Sequence, residues 1–281
     1  MAFRFTAAHL PSRPMLIGGA LVAALTLFAV ITPLIASHDP LTSDFVHGIS
    51  ESGAPVGPSG NFLLGTDRIF RDQLVRLAVA ARISLAIAMA ATAIALSIGS
   101  AIGIVAGFFA GSVVDNVLMR IVDVGLAFPF LILVMAIGAA LERTDAMTIM
   151  ATLGLTGWLG TARLMRAKTL QVRTEEFIVA ARASGQSTTG ILAKHIVPNV
   201  SGAIVINATT SVAQMILAES SLSYLGVGIA PPTPTLGRML FDGVDLWATA
   251  PWLTVAPAVA ILMVVGGFNF IGEGFQADGR G

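Results

Sequence analysis

The sequence contains no cysteine, only two lysines and a single tyrosine. Without cysteine there is no disulfide, no thiolate metal site and no thiol nucleophile, although the compartment stays open. The two lysines, Lys168 and Lys194, follow Ala167 and Ala193. A phosphate-cradling loop needs Gly-Lys followed by Ser or Thr, so that kind of nucleotide site is excluded and the chain is expected to be no ATPase. His9, His38, His47 and His195 are scattered over four places, which offers no metal site and no catalytic triad. Charge is scarce as well. Asp, Glu, Lys and Arg make up 11% of the chain, against about 25% in an average soluble domain. The net charge of zero removes any bulk attraction to nucleic acid.

What is present is apolar. Hydrophobic residues make up 55% and the mean hydropathy is +0.84; a soluble chain of this length needs far more polar surface. An all-α integral membrane protein is expected. With about 20 apolar residues per crossing, six transmembrane helices follow, at 15–36, 83–110, 118–141, 146–164, 201–225 and 248–272. Around them are expected a cytoplasmic N-terminus at 1–14, an outer segment at 37–82, a cytoplasmic loop at 165–200 and a cytoplasmic tail at 273–281. Residues 15–36 lack a small-x-small cleavage site and form too long a run for a signal-peptide core, so they are read as a retained helix.

Orientation follows from lysine and arginine in the flanks. With both termini cytoplasmic, ten of the sixteen basic residues fall inside, among them Arg4, Arg280 and the cluster from Arg163 to Lys194. The remaining six, such as Arg143, are spread over three outer segments.

Within the second span Gly99, Gly103, Gly107 and Gly111 recur every four residues, a small-residue face on which helices pack closely in lipid. Such a face calls for a packing partner. Charged residues at membrane depth are functional suspects. Asp123 is expected to pair with Arg120 one helical turn away. Glu219 is left between two roles, bonding its neighbours or lining the transport route, and a partner subunit would shelter it from lipid.

The loop from 165 to 200 breaks the apolar pattern. Thr174 is read as the cap of a helix opening with Glu175 and Glu176. Ala180 and Ala181 continue it and Gly185 ends it. A second short helix from Ser187 to His195 then leads to Pro198 at the next span. The small residues suit close docking against another protein better than lying on headgroups. On the other side, Asp67, Arg71 and Asp72 mark a polar outer mouth. The stretch 226–237, with Pro231, Pro232 and Pro234, is too proline-rich for a helix and is expected to fold back as a cap.

Ala180, Ala181, Gly185 and Pro198 match the loop pattern E-A-A-x3-G-x9-I-x-L-P of permease subunits in bacterial binding-protein-dependent ABC importers, with Val179 in place of the glutamate. Residues 64–85, LGTDRIFRDQLVRLAVAARISL, resemble the segment LGTD-x-x-GRD-x-x-SR of the dipeptide, oligopeptide and nickel subgroup, departing at Phe70 and Val75. The stretches 115–129, 217–240 and 251–275 are similar to that subgroup too, the middle one with AESSLSYLG followed by PPTP. The chain is identified as a member of this family, of the shorter C-type.

The resemblance implies a type I importer permease fold in the bacterial cytoplasmic (inner) membrane. It implies a second homologous permease that completes the pore and two ATPase subunits that hold ATP and magnesium. It further implies an extracytoplasmic binding protein, and a coupling loop at 175–195, His195 included, docked on an ATPase. Peptides are the default substrate, with nickel chelates or haem as alternatives. A self-contained secondary carrier or channel, with Glu219 and Asp123 as proton sites, is the rival from another class. It predicts inverted repeats, and none is found.

Overall fold

The computed structural model describes residues 12–141 and 145–278, and among these every regular element is a helix. Arg4, His9, Arg143 and Arg280 lie outside the described residues. Four helices are long and apolar enough to cross a membrane. These are α1 (Arg13–Ile35), α2 (Gln73–Phe108), the continuous run Thr188–Tyr224, and α10 (Trp252–Asp278). The expected third span is broken. Helices α3 (Val113–Leu126) and α4 (Phe130–Ala140) meet at 86°. Pro129 lies at the break, and a proline disfavours helical backbone in the residue before it.

Helix α5 (Ala146–Arg173) has 28 residues, about 42 Å at 1.5 Å per residue. It falls short of a crossing on composition, not length, because it carries Thr148, Thr152, Thr156 and Thr161 before a basic end. Helix propagation does not stop where hydrophobicity does. For that reason α5 runs on to Arg173, past the expected end at 164, and α2 starts at Gln73, well before 83. Asp72 caps α2, its carboxylate accepting from the Leu74 and Val75 amides at 2.8 and 3.2 Å.

The core lies where α2, α5, α8 (Val197–Tyr224) and α10 meet, around the fully buried Ala88, Leu153, Ile216 and Val264. The glycine stripe of α2 is used inside the chain. A Cβ at Gly99 would strike Thr161, one at Gly103 would strike Met165, and one at Gly107 would strike Thr169, all on α5. Gly111 does not belong to that seam: it sits beyond α2 at φ +86, with open space where a Cβ would be. No partner subunit is required to cover the stripe.

The ends of the bundle differ in character. Gly274 near the end of α10 touches Met15 at the start of α1, and Phe275 and Gln276 share a cleft with Lys168 and Gln171 of α5. The start of α1, the end of α10 and the loop after α5 therefore occupy one end. At the opposite end residues 36–72 pack against the start of α10, where the Trp252 indole donates to the Thr66 carbonyl at 3.3 Å.

Candidate functional site

The loop after α5 is built as two helices around a glycine turn, with its caps in other places than expected. Thr174 closes α5, its hydroxyl donating to the Gln171 carbonyl at 2.9 Å. Glu175 takes the N-cap position of α6 (Glu176–Ala183) through its extended backbone. Gly185 turns the chain at φ +75, a conformation that a Cβ penalises. The second helix is no separate unit. Ser187 caps α7 (Thr188–Ile191), which passes through a single π turn at Leu192–Ile196 directly into α8.

This loop is fastened to the bundle. Ile178, Ile191 and Ile196 are buried against Ile104, Phe108 and Met165, so these three side chains face the bundle. Arg173 donates to the Phe108 carbonyl at 2.9 Å, satisfying the C-terminus of α2. Arg182 lies 5.0 Å over the Phe108 ring. His195 bonds Gln186 across the turn at 3.0 Å. The outward face presents Glu175, Glu176, Ala180 and Gly185, together with Val179 at 59% exposure. Ala181 is half-buried and Pro198 exposed at the entry to α8.

Near the same end, Arg166 of α5 grips Asp115 of α3 with two bonds of 2.6 and 2.8 Å. The sequence reading did not single out this pair. Asp123 corrects an expectation: its partner is Arg163 of α5 at 2.5 Å, not Arg120. Helix α3 packs along α5, with Val122 buried against Leu159 and Ala162, which brings Arg163 to the carboxylate.

At the opposite end, Asp67 holds Arg71 at 2.7 Å and Arg76 at 3.0 Å, and Asp72 holds His38 at 2.8 Å. Phe70, in this turn, adopts φ +66, the only positive φ outside glycine among the described residues. Its carbonyl accepts from the Asp44 amide at 2.9 Å and its ring contacts Phe45, which holds the costly conformation in place. Glu219 is fully buried, accepting from Ser84 of α2 at 2.9 Å and from Ser223 at 2.8 Å. Thr235 donates to Ser223, and the Leu236 amide to Ser84, both at 3.2 Å. The carboxyl thereby clasps the proline-rich segment to two spans, within this chain. Pro231 and Pro232 are exposed and Pro234 is buried. From Leu236 the segment is helical after all, as α9 (Leu236–Val244), since its last proline precedes the Thr235 cap. In α9, burial pushes the Asp242 carboxyl above its ordinary range, against the pull of Arg238 at 3.1 Å.

Along α4, α5 and α8 runs an open cleft of about 570 Å³. Its walls are apolar at Phe128, Phe130 and Leu131, and polar at Thr156, Asn207 and Gln214. Neither Glu219 nor Asp123 lines it.

Residues 99–277 match the family described as "Binding-protein-dependent transport system inner membrane component". The chain belongs to that family. The permease is 40% identical over 252 residues to the oligopeptide transport system permease protein OppC of Escherichia coli (strain K12), covering 90% of this chain and 82% of that one. To the dipeptide transport system permease protein DppC of Bacillus subtilis (strain 168) it is 34% identical, covering 90% and 77%. To the glutathione transport system permease protein GsiD of Salmonella paratyphi A it is 38% identical, covering 93% and 84%. Among solved structures, an inward-facing MetNI methionine ABC transporter shares the fold at TM-score 0.59 and 19% identity, over 70% of this permease and 94% of that chain. The permease is an inner-membrane component with several apolar spans. Among the described residues no cluster of His, Asp or Glu is fit to hold a metal.

Proposed function

We propose that this permease is one half of the pore of an ATP-driven peptide importer. The observation that carries the substrate class is the identity of 34–41% to oligopeptide and dipeptide permeases over nine-tenths of the chain. The half-pore reading takes six crossings: the apolar spans α1, α2, Thr188–Tyr224 and α10, with the bent α3–α4 pair and the less apolar α5 added to them. The start of α1 and the end of α10, at one end with the basic loop, then face the cytoplasm. ATP and magnesium belong to two ATPase subunits, on which the face of Glu175–Gly185 docks. The cleft along α4, α5 and α8 faces a second, homologous permease across the route. An extracytoplasmic binding protein delivers peptide at the other end, near Asp67–Arg82 and Ala230–Gly237.

The secondary-carrier rival needs a titratable group on the route. Glu219 is enclosed by hydroxyls and Asp123 is paired with Arg163, and neither reaches the cleft. Reconstitution tests the reading. Vesicles with this permease alone should show no peptide uptake, and uptake should appear when the second permease, ATPases, binding protein and ATP are supplied. ATP-independent accumulation by the lone chain would refute it.

A further inference from the structure

The lining of the cleft contains no charged side chain. On α8 its polar members Asn207, Ser211, Gln214 and Ser221 recur at helical spacing and share one face. Two of them are engaged within the chain. The Asn207 amide donates to the Thr161 hydroxyl at 3.0 Å, and the Ser221 hydroxyl donates to the Leu217 carbonyl at 2.7 Å. Gln214 is different. It is exposed, sits well inside a 37-residue apolar helix, and has no hydrogen-bond partner among the described residues. An unpartnered primary amide is strongly disfavoured in hydrocarbon, so this face of α8 turns toward something more polar than lipid tails. Opposite it on α5, a Cβ at Gly160 would meet nothing, which leaves the approach open.

The chemistry that suits this face can be read from the amide. Gln214 offers two donors and an acceptor, and can therefore pair with both the C=O and the N–H of a peptide backbone. In a low-dielectric route one fixed charge would act strongly on a charged side chain, and here none is fixed. The Asp123–Arg163 pair, on neighbouring turns of α3 and α5, is outside the lining and cancels in charge.

Resting on the half-pore reading above, we propose that Gln214 engages the backbone amides of a passing peptide, and that the uncharged route around it passes cationic, neutral and anionic peptides alike. The test uses the full complex in proteoliposomes, with Ala-Lys-Ala, Ala-Ala-Ala and Ala-Glu-Ala as probes. Uptake is normalised to the affinity of the binding protein for each. Wild-type rates should agree within about threefold. Gln214→Leu should slow all three by a common factor of about 2–10, the worth of one hydrogen bond. Gln214→Glu should depress Ala-Glu-Ala about tenfold or more relative to Ala-Lys-Ala, by like-charge repulsion across a poorly screened route. An unchanged ratio in that variant overturns the proposal. Gln214→Cys separates the two readings, because the chain has no native cysteine. If Cys at this position reacts with a water-soluble thiosulfonate while Gln214→Glu remains charge-blind, the route stands and the role of Gln214 falls. If it does not react during turnover, this face is not the route and both fall together.

Discussion

Enlarging Gly103 is the most direct probe of the bundle. A Cβ placed there would lie 2.8 Å from the Met165 Cβ and 3.0 Å from the Arg166 amide nitrogen, and would also meet the Ala162 carbonyl. Ordinary carbon contacts are about 3.5–4.0 Å, so α2 and α5 would have to part by about 1 Å. Overpacking of that kind costs about 1–3 kcal/mol, opposed by about 1 kcal/mol of helix propensity gained over glycine. For Gly103→Ala a net loss of about 0–2 kcal/mol remains, toward the upper end because two of the close atoms are backbone. Gly103→Leu adds three further carbons with no space for them, for a net loss of about 3 kcal/mol or more. At roughly 2–4 °C per kcal/mol, its unfolding midpoint in detergent should fall by about 6 °C or more. Gly266→Leu on α10 is the control, since a Cβ there meets nothing, and should change the midpoint little. The measurement is thermal unfolding of the purified permease alone and then of its complex. Equal midpoints for the two leucine variants would refute the α2–α5 seam. A loss confined to the complex would return the stripe to a subunit interface.

Gly185→Val acts through the backbone, because a Cβ at Gly185 meets nothing while φ is +75. It should cost about 1–2 kcal/mol, uncouple ATP hydrolysis from uptake in the reconstituted complex, and leave α6 intact by circular dichroism; unaltered coupling would count against docking there. Glu219→Ala strands the hydroxyls of Ser84 and Ser223 at about 1–3 kcal/mol each, so limited proteolysis should cut residues 225–235 faster than in the wild type. Glu219→Gln, keeping an acceptor and the volume, should restore most of the resistance, and equal cutting in all three would remove the clasp.

Much of the architecture was legible because apolar runs decide what enters lipid. The boundaries were less so. Arg76 and Arg82 made the start of α2 look polar, yet Arg76 is neutralised by Asp67, nine residues earlier in a folded turn. The break before α4 had its signal in Pro129, outweighed by the continuous hydrophobicity around it. Arg120 lay at helical spacing from Asp123, and only tertiary packing could substitute Arg163. Phe70 stands where the subgroup pattern has glycine, and the turn forms regardless because Phe45 and Asp44 hold it. Glu219 finds its partner Ser84 135 positions away, a pairing that no local pattern encodes. The polar face of α8, in contrast, was written plainly at 207, 211, 214 and 221, and was masked by the apolar residues between.

From Thr188 to Tyr224 the chain is helical without a break, about 55 Å at 1.5 Å per residue. One tip carries the glycine turn and the other carries Glu219 with its hydroxyl partners. A stiff rod of that length is a lever: tilting it by about 5° moves the far tip by about 5 Å, more than the reach of any hydrogen bond in the clasp. The π turn at Leu192–Ile196 lies close to the Gly185 tip and leaves the rest of the rod α-helical. A push at the Gly185 tip would reach the Ser84–Glu219–Ser223 clasp as displacement.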